Sequence, residues 1–364
     1  MKWSPQQNQA LSAIQKWLFD KKSKQTFYLA GFAGTGKSTL AKHIGENING
    51  DVLYGAFTGK AALVLRNKGC DNASTIHSMI YRAEEDKEGR PIFKLNRSSN
   101  VRNAKIVIID ECSMVSNDLG SDLESFGTKI LVLGDPAQLP PVSGAGYFTN
   151  NEPDFFLTEI HRQALDNPII RLSMDVREGK KLQYGKYDES RIIRKSQIDA
   201  DAILHTDQLI VGKNATRVKF NQNIREMQSK DMSNPVVGDK VICLKNNKEL
   251  GLLNGGIWEI ISPSILVKDH YKFKVETNDY GEQTQQNVRV HKDFFNGDES
   301  LIDWKIKKNS DEFTYAYAIT CHKSQGSQWE NVTVFDESFV FRDQAKRWLY
   351  TATTRASSRL TIVM

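Results

Sequence analysis

The chain has 364 residues, 39% of them hydrophobic, and a net charge of +5 from 49 basic and 44 acidic side chains. This length predicts about two domains, and the hydrophobic share excludes a largely disordered chain. No apolar run approaches the ~20 residues that span a bilayer, the N-terminus lacks a signal-peptide pattern, and the four cysteines form no CxxC pair, so we expect a cytoplasmic protein without a membrane anchor, zinc or disulfide framework.

The first part of the chain alternates strand and helix patterns. Four short apolar, β-branched runs bounded by turn residues predict buried parallel strands: QTFYLA (25–30), VLYGAF (52–57), KIVIID (105–110) and KILVLG (129–134). Helical patterns follow at 37–49, 59–67 and 116–126. Because such alternation is typical of a parallel sheet covered on both faces, we predict an α/β domain over residues 1–150. The polar segment 82–104 interrupts it and predicts either an exposed hairpin or a loop.

The rest of the chain carries a second α/β pattern with an insertion. A strand running into a helix is predicted over 208–228, and strands and one helix (343–352) return after residue 310. Between them, residues 236–310 hold short alternating runs separated by turns, which predict a small β subdomain. We therefore expect a second domain made of 151–235 and 311–364.

A phosphate-binding loop stands between the first strand and the first α/β helix. The stretch GFAGTGKS, from Gly31 to Ser38, matches the pattern G-x-x-x-x-G-K-S/T in full. Its glycines allow backbone N–H groups to turn inward around phosphate oxygens, and the following helix directs its positive end at the same anion. Lys37 can reach the β and γ phosphates, and the Ser38 hydroxyl can bind Mg²⁺.

An acidic pair supplies the carboxylates that this loop requires. KIVIIDE ends in Asp110 and Glu111 at the carboxyl edge of a buried strand. Asp110 can hold Mg²⁺ through water, and Glu111 can polarise an attacking water molecule. Because a kinase does not need a second carboxylate at the water, the pair indicates an ATPase.

The stretch LVLGDPAQLPPVSG (131–144) places Gln138 in a rigid turn after a strand, where it can sense the γ phosphate or the water. Together with FTGKAA, STIH and IIDECSMV, it resembles superfamily 1 helicases of the RecD/Dda type. The resemblance continues through LTEIHRQ (157–163), YAITCHKSQGSQW (317–329) and LYTATTRA (349–356), so it covers nearly the whole chain. It implies two RecA-like P-loop domains, with a hairpin inserted in the first and an SH3-like β subdomain in the second.

The resemblance also assigns roles at the nucleotide. It implies that Gln7, in SPQQNQA, reads the adenine, and that Arg162 and Arg355 reach the γ phosphate from the second domain. ATP and Mg²⁺ are the implied cofactors, with Ser38 and Asp110 at the metal. The residues expected around the nucleotide are Gln7, Gly31, Ala33, Gly34, Thr35, Gly36, Lys37, Ser38 and Thr39.

For DNA, the resemblance implies one strand that crosses both domains. Hydroxyls and backbone amides would hold phosphates without reading sequence, and aromatic rings would stack on bases. Residues 82–104 would form a pin that splits the duplex, with Ile92 or Phe93 near its tip, although a plain surface loop is the alternative. The residues expected to contact DNA are Thr58, Lys60, Thr75, His77, Phe93, Thr320 and His322.

Three functions remain open from the sequence. The first is a monomeric 5′-to-3′ DNA helicase that acts on single strands and single/double-strand junctions in replication, repair or recombination, beside single-strand-binding or recombination proteins. The second is a translocase that unwinds poorly. The third is an ATP-dependent switch or scaffold subunit of a nuclease complex. Polarity follows from the resemblance alone.

Overall fold

A computed structural model shows two compact units, Met1–Arg177 and Glu178–Met364. The residues that the structure describes are 3–85, 91–141, 146–160, 166–247, 249–278, 283–297 and 299–364.

The first unit is built on a parallel sheet with the strand order β3-β2-β6-β7-β1-β8. All four residues of β6 and all five of β7 are buried, as expected for central strands covered on both faces. The predicted α/β class is confirmed. The sheet strands are β1 (Thr26–Gly31), β2 (Val52–Ala56), β3 (Ser74–Thr75), β6 (Ile106–Ile109), β7 (Ile130–Gly134) and β8 (Phe155–Leu157). The helices are α1 (Pro5–Phe19), α2 (Lys37–Glu46), α3 (Gly59–Asn67), α4 (Ile76–Ile80), α5 (Asn117–Glu124) and α6 (Pro168–Glu178).

The segment that interrupts the first α/β pattern contains an antiparallel hairpin of β4 (Tyr81–Glu85) and β5 (Pro91–Leu95). Phe93 pairs with Ala83 and Ile92 with Glu84. The residues between the two strands lie outside the described part, so the position of Ile92 or Phe93 near the tip stays a prediction. The Phe93 side chain is 62% exposed.

The first unit extends beyond the boundary that we predicted at residue 150. Strand β8 pairs in parallel with β1, with Leu29 opposite Phe155 and Gly31 opposite Leu157. Because these backbone bonds complete the first sheet, the first unit continues to the last turn of α6, and the division falls between Arg177 and Glu178. Strand β8 has only three residues and follows a polar loop, so its sequence pattern is too short to show that it belongs to the first sheet.

The second unit holds another sheet, with the order β18-β11-β19-β20-β10-β9, parallel except for β9. Its strands are β9 (Gly185–Tyr187), β10 (Ser190–Ile193), β11 (Gln208–Val211), β18 (Ala318–Thr320), β19 (Trp329–Phe335) and β20 (Ala356–Val363). Its helices are α7 (Ala200–Leu204), α8 (Asn214–Met227), α9 (Trp304–Lys308), α10 (Cys321–Ser324) and α11 (Ala345–Thr353).

A β subdomain is inserted between β11 and β18, largely where the sequence predicts it. Its strands are β12 (Lys240–Cys243), β13 (Ile257–Ile260), β14 (Ile265–Val267), β15 (His270–Thr277), β16 (Thr284–His291) and β17 (Phe313–Tyr315). The pairing order is β14-β15-β13-β12-β17, with β16 on the free side of β15. The predicted end at residue 310 is too early, because Phe313–Tyr315 pairs with β12. The run FTYAYAIT resembles one strand, yet the chain changes sheets at Ala316 and Tyr317.

Two buried ionic clusters attach this subdomain to the α/β part of the second unit. Arg225 of α8 pairs with Asp239 at 3.1 Å, and both side chains are almost fully buried. Arg217, also on α8, contacts Glu299 at 2.6 Å, and Glu299 also accepts a bond from Lys323 of α10. Buried charges of this kind are stable only when paired, so they fix the position of the insertion relative to α8 and α10. No helix in the described part is long and apolar enough to cross a bilayer.

Candidate nucleotide and nucleic-acid sites

The phosphate-binding loop has the backbone that its glycines predict. Gly34 and Gly36 adopt φ values of 80° and 81°, which side chains other than glycine rarely tolerate. The Lys37 ammonium donates to the carbonyl oxygens of Gly31 at 2.6 Å and Phe32 at 3.0 Å. These contacts hold its charge above the loop, where a β or γ phosphate would exchange for the carbonyls.

The hydroxyl and carboxylate predicted for the metal lie in contact. Ser38 Oγ, at the start of α2, donates to Asp110 Oδ2 at 2.8 Å, although the two residues are 72 positions apart. The donor set fits Mg²⁺, which prefers a few carboxylate and hydroxyl oxygens together with phosphate oxygens. No group of three His, Cys, Asp or Glu in the described residues could hold a metal alone. An Mg²⁺ ion held by Ser38 and Asp110 would take its remaining ligands from phosphate oxygens and water.

Glu111 has a strained backbone. Its φ of 54° and ψ of 47° lie in the left-handed region, and its N–H donates to Asp110 Oδ1 at 2.9 Å. A glutamate seldom adopts this conformation, which costs of order 1–3 kcal/mol and tends to be kept where a function depends on it. The turn separates the two acids, so that Asp110 faces Ser38 while Glu111 begins the next turn.

Gln138 lies in a tight turn after β7, as predicted. Asp135 organises that turn: its side chain accepts from Ala137 N at 3.0 Å, and its carbonyl accepts from Gln138 N at 3.1 Å. Gln138 is 6% exposed, and within the described residues its Oε1 has no hydrogen-bond partner. Because a buried, unsatisfied amide oxygen is costly, it points to a polar group that arrives with a ligand.

Gln7 joins the first helix to the loop. It is 3% exposed; its Oε1 accepts from Ser4 N at 3.0 Å, and its Nε2 donates to Thr35 O at 3.2 Å. The Ser4 hydroxyl accepts from Gln7 N in return, which makes a capping box at the start of α1. Its predicted role at the adenine stays a prediction. The other predicted nucleotide residues differ in exposure: Ala33 is half-buried, Thr35 is buried, and Thr39 is exposed on α2.

Of the two predicted arginines, the structure describes Arg355, whereas Arg162 lies outside the described residues. Arg355 is 5% exposed, and its guanidinium donates to Thr351 O, Ser327 O and Thr354 Oγ1 at 3.0–3.2 Å. These three partners are neutral, so among the described residues the guanidinium is stabilised by hydrogen-bond dipoles and not by a carboxylate. A buried cation of this kind would be stabilised by an incoming phosphate.

The candidate DNA residues of the first unit lie where parallel strands end. Thr58 follows β2 and caps α3 by accepting from Ala61 N, and Lys60 lies in the first turn of that helix. Thr75 ends β3 and caps α4 by accepting from Ser78 N. Since carboxyl ends of parallel strands share one edge of a sheet, these hydroxyls and helix starts lie on the same edge as the phosphate-binding loop.

His77 belongs to a cluster of aromatic rings. Its ring centroid lies 6.0 Å from Phe57, 5.7 Å from Tyr81 and 6.3 Å from Phe93. Burial lowers the pKa of His77, so the imidazole is neutral at physiological pH. The exposed Phe93 ring covers this cluster from the hairpin. The arrangement suits stacking on an unpaired base rather than a charge contact.

The second unit repeats this pattern. Thr320 ends β18 at the start of α10, and His322 lies 5.9 Å from the ring of Phe341, which stacks on Trp348 at 5.7 Å. Burial lowers the pKa of His322 as well. Each unit thus has a Thr-x-His sequence at the end of the first strand in its sheet order.

The family of the chain follows from its first half. A family model described as an AAA domain matches residues 2–197, more than half of the chain. The chain belongs to the AAA_30 family. A second model, described as the UvrD-like helicase C-terminal domain, matches residues 315–363. The AAA_30 match contains Lys37, Asp110 and Gln138, and the second contains His322 and Arg355.

Two relatives of this AAA_30 chain are named as DNA helicases. It is 26% identical over 347 residues to the ATP-dependent RecD2 DNA helicase of Deinococcus radiodurans, covering 91% of this chain and 46% of that protein. It is 31% identical over 191 residues to the ATP-dependent DNA helicase dda of Enterobacteria phage T4, covering 48% and 42%. The chain spans less than half the length of either relative. The predicted resemblance is confirmed.

The fold has a solved counterpart. The Pif1 helicase from Bacteroides, in complex with ADP-AlF3 and ssDNA, aligns with a TM-score of 0.58 at 18% identity, over 99% of this chain and 92% of that one. The similarity supports the predicted fold of two RecA-like α/β domains.

Several contacts of the AAA_30 part were missed by sequence reasoning. The Arg177 guanidinium lies 3.5 Å from the ring centroid of Phe32, and Phe32 packs on Phe156 at 4.8 Å. Gln6 accepts from the backbone of Thr158 and Glu159 at 2.9 and 2.8 Å. Phe32 is an unspecified position of the loop pattern, Arg177 belongs to no motif, and Gln6 is a residue of SPQQNQA to which the resemblance gives no role. Only the tertiary fold brings these residues to the loop.

A second acidic pair was also missed. Asp336 and Glu337 follow β19, which holds the same place in its sheet as β6 in the first. Glu337 accepts from Gly212 N at 2.8 Å, Lys213 N at 3.0 Å and the Thr216 hydroxyl at 2.7 Å. Burial opposes its charge, but these hydrogen bonds lower the pKa of Glu337. Its oxygens hold the turn into α8, so this pair does not reproduce the Asp110–Glu111 arrangement.

Proposed function

We propose that this chain is an ATP-dependent DNA helicase that moves 5′-to-3′ on single-stranded DNA and unwinds duplex in replication, repair or recombination. The observation that best supports ATP hydrolysis is the contact between Ser38 and Asp110 beside the phosphate-binding loop. The unsatisfied amide oxygen of Gln138 adds to this support. The names of the RecD2 and dda relatives support the DNA part. Four free, buried cysteines agree with a reducing compartment, and we propose the cytoplasm.

Hydrolysis uses groups that the fold already holds in place. Lys37 binds the β and γ phosphates, and the backbone N–H groups around Gly34 and Gly36 bind the phosphate oxygens. Ser38 and Asp110 would hold Mg²⁺, which would neutralise phosphate charge when bound. Glu111 accepts a proton from the attacking water, and Gln138 orients that water. Arg162 and Arg355 supply positive charge at the γ phosphate, so its loss on hydrolysis releases both arginines.

DNA binding uses the threonine-capped strand ends and the aromatic cluster. Thr58, Thr75 and Thr320 hold backbone phosphates through hydroxyls and helix N–H groups, which read no sequence. The neutral His77 and the exposed Phe93 offer faces on which bases stack. The protein therefore binds single strands without strong sequence preference, and we propose that it works as a monomer.

Phe93→Ala should weaken single-strand binding. Loss of one stacking ring costs about 1–3 kcal/mol, so the Kd for an oligo-dT should rise roughly 5- to 150-fold, measured by fluorescence anisotropy. Phe19→Ala is the matched control, because Phe19 is 65% exposed in the same unit and lies outside the cluster. Equal affinities for the two variants would remove Phe93 from the DNA site.

Two assays separate the proposed helicase from its alternatives. ATP hydrolysis with and without oligo-dT should show strong stimulation, because DNA and nucleotide sites share the strand ends of one sheet. Duplexes with a 5′ or a 3′ single-stranded tail should be unwound only from the 5′ tail. Stimulation without unwinding would favour a translocase. Absence of stimulation would favour a switch or scaffold subunit and contradict the proposed motor.

A further inference from the structure

The β subdomain has an outward face on which three cations converge. Lys272 and Lys274 project outward from β15, and Arg289 projects from β16 directly opposite Lys272. On the other side, Ile265 of β14 stands opposite Lys272. The inward residues between them, such as Phe273, are buried in the core of the subdomain. We call Lys272, Lys274 and Arg289 the cationic face.

Among the described residues, the lysines of this face have no acidic partner in contact, and the carboxylate in the same outward row of β15, Glu276, accepts a hydrogen bond from Gln285 at 2.6 Å instead. Within the described residues, the ammonium groups of Lys272 and Lys274 have neither an ion pair nor a hydrogen bond. Nearby lysines differ, since Lys292 pairs with Asp269 at 2.7 Å and Lys245 with Glu312 at 3.4 Å. Like charges directly opposite each other on neighbouring strands destabilise a sheet. Lys272 and Arg289 stand opposite each other in this way. An anionic ligand bound between them would offset their repulsion.

The neighbouring contacts fix Arg289 without neutralising it. Its guanidinium donates to Asn309 O at 3.2 Å and contacts His270 Nδ1 at 3.2 Å, and both partners are uncharged. The pKa of His270 is lowered, mainly because the imidazole is partly buried and in addition because the Arg289 charge is close. One carboxylate, Asp311, lines the same groove, and its oxygens accept from Arg289 N at 2.9 Å and Asn247 Nδ2 at 3.3 Å.

The cationic face borders an open groove of about 440 Å³. Besides the three cations, Asn287 offers an amide donor, and Pro263 and the 63% exposed Ile265 form an apolar edge. The outward positions of β15 and β16, from His270 to Glu276 and from Gln285 to His291, carry no Phe, Tyr or Trp. This distinguishes the groove from the aromatic cluster of the first unit. Phe273 also lines the groove but is only 4% exposed, so the described residues of the groove can hold phosphates but present no exposed aromatic ring to unpaired bases.

We propose that the cationic face binds the phosphate backbone of duplex DNA. Cations about 6.8 Å apart along a strand and about 4.8 Å apart across strands suit duplex DNA, which carries one negative charge per ~1.7 Å of its axis. The inference rests on the proposed function, because a motor at a single/double-strand junction meets duplex as well as single strand. The surface is a second DNA site, chemically distinct from the stacking site at His77 and Phe93.

The test compares variants in binding to a blunt duplex, with salt varied from 50 to 200 mM. Lys272→Gln/Lys274→Gln removes two charges but keeps the length of the side chains. The slope of log Kobs against log salt should become shallower by about 1.8. Between 50 and 200 mM salt, the fold-loss of affinity should therefore be about 12 times smaller for the variant than for wild type. Lys272→Arg/Lys274→Arg should retain the wild-type slope. Lys21→Gln/Lys22→Gln, on an exposed turn of the first unit, is the charge-matched control and should also retain it.

ATPase stimulation by oligo-dT distinguishes this inference from the proposed function. The glutamine variant should keep that stimulation, because none of its changes touches the nucleotide loop or the aromatic cluster. An unchanged salt slope in a variant that melts like wild type would overturn the duplex assignment, and the exposed Ile265 and Leu266 would then indicate a protein contact. If wild type itself shows no stimulation, the motor fails whatever the duplex result.

Discussion

Lys37→Ala should abolish measurable ATP hydrolysis while the protein remains folded. The ammonium is the charge that meets the β and γ phosphates, and removing one preorganised donor to a developing negative charge costs about 10²–10³-fold in kcat. Its intramolecular contacts are two carbonyl bonds, to Gly31 and Phe32, so the cost to stability is about 1–3 kcal/mol at most. Steady-state ATPase rates and thermal melting measure the two effects separately.

Lys42→Ala provides the control for that experiment. Lys42 lies on the same helix, α2, with a partly exposed ammonium 3.6 Å from Glu46. It loses the same charge and a surface ion pair worth ~0–1 kcal/mol, but it has no part in the phosphate loop. Its ATPase rate should equal that of wild type. Substantial hydrolysis by Lys37→Ala would contradict the phosphate assignment, and equal losses in both variants would indicate an effect of charge alone.

The parts of the fold that could be predicted are those with strong local patterns. The apolar runs that became β1, β2, β6 and β7 were evident because central parallel strands are buried on both faces. The boundaries were less accessible. Membership of Phe155–Leu157 in the first sheet and of Phe313–Tyr315 in the β subdomain depends on which distant strand supplies backbone partners. The local sequence of a short strand does not show which distant strand will pair with it.

The correspondence between the two α/β sheets was also hidden in the sequence. Thr75-x-His77 and Thr320-x-His322 occupy matching strand ends, as do Asp110-Glu111 and Asp336-Glu337. The pairs became visible only through strand order, because the intervening lengths differ and the β subdomain separates the second set. Glu337 bonds to the turn into α8 whereas Asp110 bonds to Ser38. Similar residues therefore perform different tasks in the two units.

The nucleotide residues were predictable because their chemistry fixes their spacing. A loop that wraps phosphates needs glycines at set positions, and the metal needs an acid at a strand end. The environment of those residues was not predictable. That Gln138 is buried with an unsatisfied oxygen, that Glu111 is left-handed and that Arg177 stacks on Phe32 are consequences of packing. These are the observations that connect a motif to a working site.

Arg355→Ala should bind ATP normally but hydrolyse it slowly. An arginine that stabilises the charge of a transferring phosphoryl group is worth about 10³–10⁵ in kcat, whereas ground-state affinity depends mainly on the loop and the metal. The structure supports this separation, because Arg355 is buried among neutral acceptors and lacks a carboxylate partner in the described residues. Single-turnover hydrolysis and binding of a fluorescent ATP analogue would measure the two quantities.

Because Arg355 also bonds to Thr351 O and Ser327 O, the alanine variant has a structural effect that must be separated from the catalytic one. Arg355→Lys keeps the charge but cannot reproduce the planar fork of donors. If the guanidinium acts on the γ phosphate, the lysine variant should melt near wild type, bind ATP and retain only a small fraction of kcat. A lysine variant with near-normal kcat would show that charge at this position is sufficient and that a directed guanidinium is not required. An alanine variant with near-normal kcat would remove Arg355 from the reaction altogether.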